Sequence, residues 1–207
     1  MRPTPVTPQA LVELLAELCA AAGTGARLRV AVDGHPATGT ARLADDVASA
    51  LRSSGRPALR VSTDWFLRPA SLRLEYGKQD VQAYGQTWLD TAALRREVLD
   101  PVVDSGRWLP TLWDPRADRA TRAAYQQAPE NAVLLVDGTL LLGRGLPFDL
   151  TVHLRLSPAA RRRRTADDLR WTLPAYDDYD RTVDPSEVAD VVVRADDPRH
   201  PAVVVRK

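Results

Sequence analysis

The sequence predicts one α/β domain whose parallel β-sheet carries helices on both faces. Segment 28–32 has the pattern of a short apolar strand, and the continuous apolar run 132–136 is typical of a strand that is buried on both sides. These runs alternate along the chain with segments of helical periodicity. Three runs are followed directly by an aspartate, namely Asp33, Asp64 and Asp137. Since such sheets bind ligands at the carboxyl ends of their strands, we expect a small-molecule site there.

The elements follow one another in a regular order. A first amphipathic helix is predicted from Leu11 and is expected to end near Gly23 and Gly25. Strand 28–32, a loop with glycines and helix 40–54 come next, and strand 58–63 leads through a long polar stretch to helix 91–104. The remaining predictions are strand 107–113, helix 117–127, strands 132–136 and 150–156, an arginine-rich helix from Pro158, and strands 188–194 and 202–205.

Composition excludes several classes of protein. The 207 residues suit a single domain over 1–207, and the formal net charge of +1 provides no field that would attract nucleic acid. No segment approaches the roughly 20 apolar residues of a membrane span, and the N-terminus does not resemble a signal peptide, so we expect a cytoplasmic protein. The single cysteine, Cys19, lies on the apolar stripe of the first helix and is expected to be buried and inert. The oligomeric state stays open, and a homo-oligomer is possible.

The loop after the first apolar strand has the frame of a phosphate-binding loop. Such loops follow the pattern G-x-x-x-x-G-K-[ST], in which backbone amides surround phosphate, the lysine contacts the β and γ phosphates and the hydroxyl binds magnesium. The chain has Gly34-His35-Pro36-Ala37-Thr38-Gly39-Thr40-Ala41, with Thr40 at the lysine position and Ala41 at the hydroxyl position. On their own, two glycines at this spacing are as consistent with an ordinary turn as with a phosphate-binding loop.

Further motifs along the chain carry a resemblance. They are the segments 30–34, 62–69, 88–90, 112–114, 136–138, 161–164 and 188–193, whose sequences are VAVDG, STDWFLRP, WLD, LWD, VDG, RRRR and VADVVV. From about residue 10 to the end, the chain resembles the uridine kinase family, especially its short actinobacterial members. The resemblance implies a P-loop kinase fold with a small arginine-bearing lid over about 158–182.

The resemblance also implies roles for individual residues. Asp64 would be the catalytic base near the acceptor hydroxyl, and Asp137 would support Mg²⁺, directly or through water. ATP and Mg²⁺ would be the cofactors, and a nucleoside-like acceptor the second small-molecule partner. The implied nucleotide and phosphate contacts are Gly34, His35, Ala37, Thr38, Gly39, Thr40, Ala41, Arg161 and Arg162, and the implied acceptor contacts are Phe66, Asp90, Trp113 and Asp114.

Each of these residues also has a plainer interpretation. Asp64 and Asp137 fit helix-cap or turn aspartates, and the four arginines at 161–164 fit a solvated helix face. Trp65, Phe66, Trp88 and Trp113 fit a hydrophobic core as well as a stacking wall. His35 is expected to be an exposed spacer within its loop, while His153 and His200 have no metal-like neighbours in the sequence.

Two functional hypotheses follow from the altered loop. Losing one well-placed donor typically lowers turnover about 10²- to 10³-fold, so the first hypothesis is a weak or non-standard phosphotransferase. Rescue by Arg42 or Lys78 is conceivable, although Arg42 is turned roughly 100° around the helix from the lysine position. The second hypothesis is an inactive kinase relative that acts as a small-molecule-binding or regulatory module.

Overall fold

A computed structural model describes residues 3–22 and 25–206. Gly23, at the expected end of the first helix, lies outside the described residues. The helices are α1 (Pro8–Ala22), α2 (Thr40–Ser53), α3 (Ala70–Arg73), α4 (Val81–Gln86), α5 (Thr91–Leu94), α6 (Asp100–Asp104), α7 (Pro158–Arg164), α8 (Leu173–Thr182) and α9 (Pro185–Val188). The strands are β1 (Thr4–Pro5), β2 (Leu28–Gly34), β3 (Ala58–Ser62), β4 (Arg107–Trp108), β5 (Trp113–Asp114), β6 (Arg119–Ala120), β7 (Gln126–Gln127), β8 (Val133–Gly138), β9 (Leu150–Arg155), β10 (Val191–Arg194) and β11 (Ala202–Val205).

The main sheet is mostly parallel, as the sequence predicts. Over the described ranges it contains seven strands in the order β1-β11-β10-β9-β2-β8-β3. The five strands from β10 to β3 run parallel, while β11 and β1 add an antiparallel edge. Because β2 lies between β8 and β9, with β3 beyond β8, the polar residues that end β2, β3 and β8 are brought to one edge.

Helices cover both faces of the sheet, and the alternation along β8 shows why its sequence is apolar throughout. Val133 and Leu135 face α1 and α2, in a core that also contains Leu15 and Leu51. Leu134 and Val136 face the opposite side, in the core around α5 and α6. Since successive side chains of a strand point to opposite faces, both must be apolar when both are covered.

The prediction of a helix over 117–127 is wrong. Residues in this stretch form β6 and β7, which pair with β5 and β4 in two small antiparallel sheets. The Asp114 carboxylate accepts hydrogen bonds from the amides of Arg116 and Ala117, which turns the backbone before a helix can begin. Asp118 and Arg122 adopt positive φ, a region that helices exclude. The expected strand 107–113 is likewise divided into the two short strands β4 and β5.

Two smaller expectations differ in detail. The helix predicted over 91–104 is present but contains a π-helical segment, Arg95–Leu99, between α5 and α6. Val188 ends α9, so the closing strand β10 begins only at Val191. Cys19 is buried as expected, and burial raises the pKa of its thiol to about 12, so the unreactive thiol form dominates at neutral pH. Within the described residues, no helix is both long and apolar enough to cross a membrane.

Gly138, at the end of β8, permits a close approach that the site depends on. A Cβ at this position would lie 2.0 Å from Thr63 Oγ1, so Gly138→Ala should force β8 and Thr63 apart. We expect the variant to lose about 1–3 kcal/mol of unfolding free energy in urea denaturation. Gly85→Ala is the matched control, because its Cβ would meet Ala175 Cβ at an ordinary 3.5 Å. An unchanged stability of Gly138→Ala would contradict the close packing.

Candidate functional site

A cavity of about 200 Å³ lies at the carboxyl edge of the sheet, between the loop after β2 and the ends of β3 and β8. It brings together many of the residues to which the sequence assigned phosphate, metal or catalytic roles. The full lining is Gly34, Pro36, Gly39, Thr40, Ala41, Arg60, Ser62, Asp64, Asp137, Gly138 and Thr139.

Backbone amides of the loop between β2 and α2 donate hydrogen bonds to acceptors within the same loop. Residues Pro36–Thr38 form a 3₁₀ turn, in which the Thr38 amide donates to the His35 carbonyl at 2.8 Å and the Gly39 amide to the Pro36 carbonyl at 3.3 Å. The Ala37 amide donates to His35 Nδ1 at 3.1 Å, and Pro36 has no amide proton. Three consecutive amides that would surround a phosphate therefore already have partners within the loop.

The same loop is closely packed against the sheet. Gly39 takes a left-handed conformation with φ of 78° and begins α2. A Cβ at Gly34 would lie 2.8 Å from Thr38 Oγ1 and 3.0 Å from Leu154 Cβ. The loop thus lies directly against the end of β2, where glycine is required for its approach.

His35 is buried, which corrects the expectation of an exposed spacer. Its ring lies 4.5 Å from the Tyr176 ring, and Nε2 is 3.2 Å from Thr165 Oγ1. Because Nδ1 accepts the Ala37 amide and the Thr165 hydroxyl donates to the Arg161 carbonyl, the neutral imidazole with its proton on Nε2 satisfies every member of the network. Burial, and then the charge of Arg161, lower the pKa of His35 to about 4.

Asp33 is the buried centre of a second network beside the loop. It is fully inaccessible, with Oδ2 2.8 Å from His153 Nδ1 and 3.0 Å from the Tyr179 hydroxyl. Its Oδ1 accepts the Leu141 amide at 2.9 Å, which ties the end of β2 to the segment after β8. The sequence placed Asp33 at a strand end but did not show that His153 and Tyr179 would enclose it.

Arg60 of β3 forms an ion pair with the carboxylate of Asp137. Arg60 Nε lies 2.7 Å from Asp137 Oδ1, and its Nη2 lies 3.1 Å from Oδ2, which is a two-point ion pair. The remaining guanidinium nitrogen, Nη1, is 3.4 Å from Asp45 of α2. Asp137 is only 3% exposed, and burial raises its pKa although Arg60 opposes the shift. The guanidinium therefore stabilises a carboxylate that would otherwise be costly to bury.

Asp64 is the more accessible of the two carboxylates in the cavity. It lies in the 3₁₀ turn Thr63–Phe66, and its amide donates to Ser62 Oγ at 3.4 Å, the hydroxyl that begins the turn. Among the described residues, no side chain or amide bonds to its carboxylate, and its charge adds to the rise in the pKa of Asp137. Thr40 and Ala41, in the first turn of α2, line the same cavity, and the amides of a first helical turn have no acceptors within the helix.

The arginines at 161–164 do not form a common phosphate-binding surface. Arg161 is 4% exposed and lies between Asp180, at 2.9 Å, and Asp177, at 2.5 Å. Its guanidinium also lies 5.6 Å from the centre of the Tyr176 ring. Arg164 donates to the Ala195 carbonyl at 2.9 Å, whereas Arg162 is exposed to solvent.

Neither cation suggested as a replacement for the missing lysine lines the cavity. Arg42 is exposed on α2 and lies 3.7 Å from Asp46, four residues further along the helix. Lys78 is exposed in the loop between α3 and α4. The positive charge in the cavity comes from Arg60 instead.

The four residues that the resemblance assigned to the acceptor do not lie together around one pocket. Phe66 is completely buried in the core, and Asp90 caps α5 by accepting the Ala93 amide at 2.9 Å. Trp113 donates its indole N–H to Asp118 at 3.1 Å, and Asp114 holds the turn that follows it. Trp65 and Asp114 instead border a separate open cavity of about 620 Å³.

The residues present do not fit Mg²⁺-ATP in the usual way. The chain has neither the lysine nor the hydroxyl at the start of α2, and the loop amides are directed to internal acceptors. Both oxygens of Asp137 are bonded to Arg60, so a cation at their remaining lone pairs would lie beside a guanidinium of the same charge. In the described ranges, no three histidine, cysteine or acidic side chains lie close enough to hold a metal ion.

Comparison with known proteins gives structural relatives only. A protein from Bacillus stearothermophilus, described as a possible uridine kinase, superposes with a TM-score of 0.75 at 20% identity, covering 89% of this chain and 97% of that one. A Silicibacter protein provisionally described as a fructose transport system kinase gives 0.62 at 23% identity, with coverages of 87% and 91%. D-glycerate 3-kinase from Cryptococcus neoformans gives 0.54 at 14% identity, with coverages of 83% and 80%. No family model and no curated protein matches the chain.

These similarities establish the fold. The mostly parallel seven-stranded sheet with helices on both faces, within the described part of the chain, is the fold of the P-loop kinases. The segment at 158–182, expected to form a lid, contains α7, a 3₁₀ helix and α8, and contributes Tyr176 and Tyr179 to the core.

The buried His35 makes stability depend on pH. Its folded pKa of about 4 lies below the ordinary value of 6.5, so between these values the unfolded chain binds a proton that the folded protein excludes. The stability that neutral His35 contributes is complete above pH 6.5 and is lost as the pH falls toward 4. From pH 7 to pH 5 this loss should reach about 2 kcal/mol.

Urea denaturation at both pH values tests the effect. His35→Gln should remove this part of the pH dependence, because an amide does not titrate. His200→Gln is the matched control, since His200 is exposed and its ring lies 3.1 Å from Asp197. If the unfolding free energies of the wild type and His35→Gln depend on pH in the same way, folding does not hinder protonation of the His35 imidazole.

Proposed function

We propose that this chain is a kinase relative that binds a small, uncharged, hydroxyl-bearing molecule in the cavity beside β3 and β8 and does not transfer the γ-phosphate of ATP efficiently. The observation that carries the proposal is the two-point ion pair between Arg60 and Asp137, at 2.7 and 3.1 Å. It places a fixed positive charge on the carboxylate to which the family resemblance assigns magnesium.

The loop supports the same conclusion independently. Phosphate binding by such a loop depends on backbone amides that point at the ligand and on a lysine that adds charge. Here the Ala37, Thr38 and Gly39 amides are bonded internally, and Thr40 replaces the lysine. Binding a triphosphate would require the loop to break these bonds while gaining less charge than usual.

The charges in the cavity also disfavour a polyanion. Asp64 and Asp137 both line it, against the single guanidinium of Arg60, and Asp45 lies beside that guanidinium. Like charges brought into a partly buried space repel strongly, because the effective dielectric constant is low. A neutral ligand avoids this cost.

The polar groups that line the cavity suit hydroxyl groups. The Asp64 carboxylate and the Ser62 hydroxyl can accept hydrogen bonds, whereas the first amides of α2, at Thr40 and Ala41, can donate them. A hydroxyl group both donates and accepts, so it can engage both kinds of partner. We therefore propose a polyol or the sugar of a nucleoside as ligand, with Asp64 as its main anchor.

Residual phosphotransfer is the second candidate function, and one observation favours it. Asp64 is exposed at the cavity, where a base that accepts a proton from an acceptor hydroxyl would be needed. In that mechanism Asp64 would orient the hydroxyl and take its proton. ATP would supply the phosphoryl group when bound, with Mg²⁺ as its counter-ion.

Binding measurements separate the two functions. Isothermal titration calorimetry of the wild type with Mg²⁺-ATP should show no saturable binding at millimolar nucleotide, while a panel of polyols and nucleosides should contain a ligand. Asp64→Asn should weaken that ligand at least about tenfold, because the carboxylate's charge-assisted hydrogen bond is lost. Asp168→Asn, at an exposed carboxylate outside the cavity, is the matched control.

Stepwise restoration of the loop distinguishes a local defect from a rebuilt site. Thr40→Lys with Ala41→Thr should not restore Mg²⁺-ATP binding by itself, because Arg60 still forms its ion pair with Asp137. Adding Arg60→Thr to that pair should raise the nucleotide affinity by freeing the carboxylate. The proposal fails if the wild type turns over ATP with any acceptor and Asp64→Asn abolishes that turnover, or if the double variant alone binds Mg²⁺-ATP.

A further inference from the structure

A further cavity borders Tyr179 of the Asp33 network and is separate from the two cavities described above. It is a groove of about 470 Å³ between α4, the segment after β8 and α8, within the size range of small-molecule pockets. We call it the Arg144 groove. Its walls include the apolar side chains of Val81, Leu140, Leu142, Ala175 and Val183.

The groove contains a guanidinium whose partners are all main-chain carbonyls. Arg144 Nη1 donates to the Gln86 carbonyl at 3.1 Å, Nε donates to the Leu140 carbonyl and Nη2 donates to the Gly85 carbonyl. A guanidinium has five N–H groups, so these three bonds leave two N–H groups for another acceptor. Among the described residues, no carboxylate lies within ion-pair distance of Arg144.

Arg144 is therefore held in place by three main-chain carbonyls and forms no ion pair with the described residues. Most arginines that are buried to this degree pair with an acid, because an uncompensated buried charge is costly. Burial lowers the pKa of Arg144, and the negative charge of the buried Asp33 offsets only part of this shift. The acidic residue that lines the groove, Asp178, is bonded to Arg181 instead. An anion entering the groove would supply the missing counter-charge.

The walls of the groove are held rigidly. The Tyr179 hydroxyl accepts the Leu142 amide at 2.9 Å and donates to the buried Asp33 at 3.0 Å. Gly143, with φ of 74°, lies so close to Val183 that a Cβ would be 2.7 Å from Val183 Cγ1. Because these contacts fix the segment after β8 against α8, the groove does not have to form on binding, which favours affinity.

We propose that the Arg144 groove binds a small carboxylic acid with an apolar body. The carboxylate would pair with the two remaining N–H groups of Arg144, and the body would lie against Leu140, Leu142 and Val183. One carboxylate matches one guanidinium, whereas a polyphosphate would leave charge unpaired against apolar walls. The site is separate from the cavity of Asp64 and does not rest on the function proposed for it.

2-Naphthoate is the probe, and 2-naphthamide is its uncharged counterpart of the same shape. Titrated into the ¹⁵N-labelled wild type, naphthoate should shift the amide resonances of Leu140, Leu142 and Gly143 with a saturable profile. Naphthamide should bind at least about tenfold more weakly, because it cannot form the ion pair. Equal binding of both probes, or no saturable binding of naphthoate, would overturn the proposal.

Two variants locate the binding site, so that the test does not depend on a single substitution that could disturb folding. Arg144→Lys keeps the charge but loses the fork of donors, and should weaken naphthoate about tenfold. Gln82→Trp, on the exposed rim of the groove at α4, leaves Arg144 untouched and should block entry. Gln9→Trp is the matched control, since Gln9 and Gln82 are exposed helix residues that each bond to the side chain four positions on. Unchanged affinity in Gln82→Trp would place the probe elsewhere and contradict the proposal.

Discussion

The ion pair between Arg60 and Asp137 is the interaction on which the site depends. It joins neighbouring strands, since β3 pairs in parallel with β8, and it reaches α2 through Asp45. A carboxylate that is 3% exposed needs a compensating charge, and Arg60 supplies it from within the chain. A magnesium ion at the same carboxylate would be repelled by the charge of Arg60. The pair thus links the stability of the sheet edge to the proposed loss of metal-dependent chemistry.

The loop after β2 is consistent with this arrangement. Its amides bond to His35 and Pro36, and His35 itself is held by Thr165 and the Tyr176 ring. Arg161, which the resemblance places on phosphate, is bonded to Asp177 and Asp180. Donors that would face a nucleotide are thus used within the protein. The accessible carboxylate of Asp64 remains, which is why we propose ligand binding without efficient phosphoryl transfer.

The sequence predicted the fold well because its strands are buried on both faces. Runs such as 132–136 are typical of strands at the centre of a sheet that is covered on both faces. The wrong helix at 117–127 reflects local hydrogen bonds of Asp114, which periodicity does not reveal. For the site, the positions of Asp64 and Asp137 directly after predicted strands indicate that both lie at the carboxyl edge of the sheet. Arg60 was missed because an arginine between Leu59 and Val61 also fits a solvated strand face, and only the register of β3 on β8 places it beside Asp137.

The most direct measurement is paramagnetic broadening by Mn²⁺, which binds where Mg²⁺ would and broadens nearby amide resonances. In the ¹⁵N-labelled wild type, our account predicts no selective broadening of Asp137 and Gly138 at millimolar Mn²⁺, because the charge of Arg60, which is bonded to both carboxylate oxygens, repels a cation. The same titration of Arg60→Met should broaden these two resonances, since the carboxylate is then free. Selective broadening at Asp137 and Gly138 in the wild type would contradict the central claim that Arg60 replaces the metal.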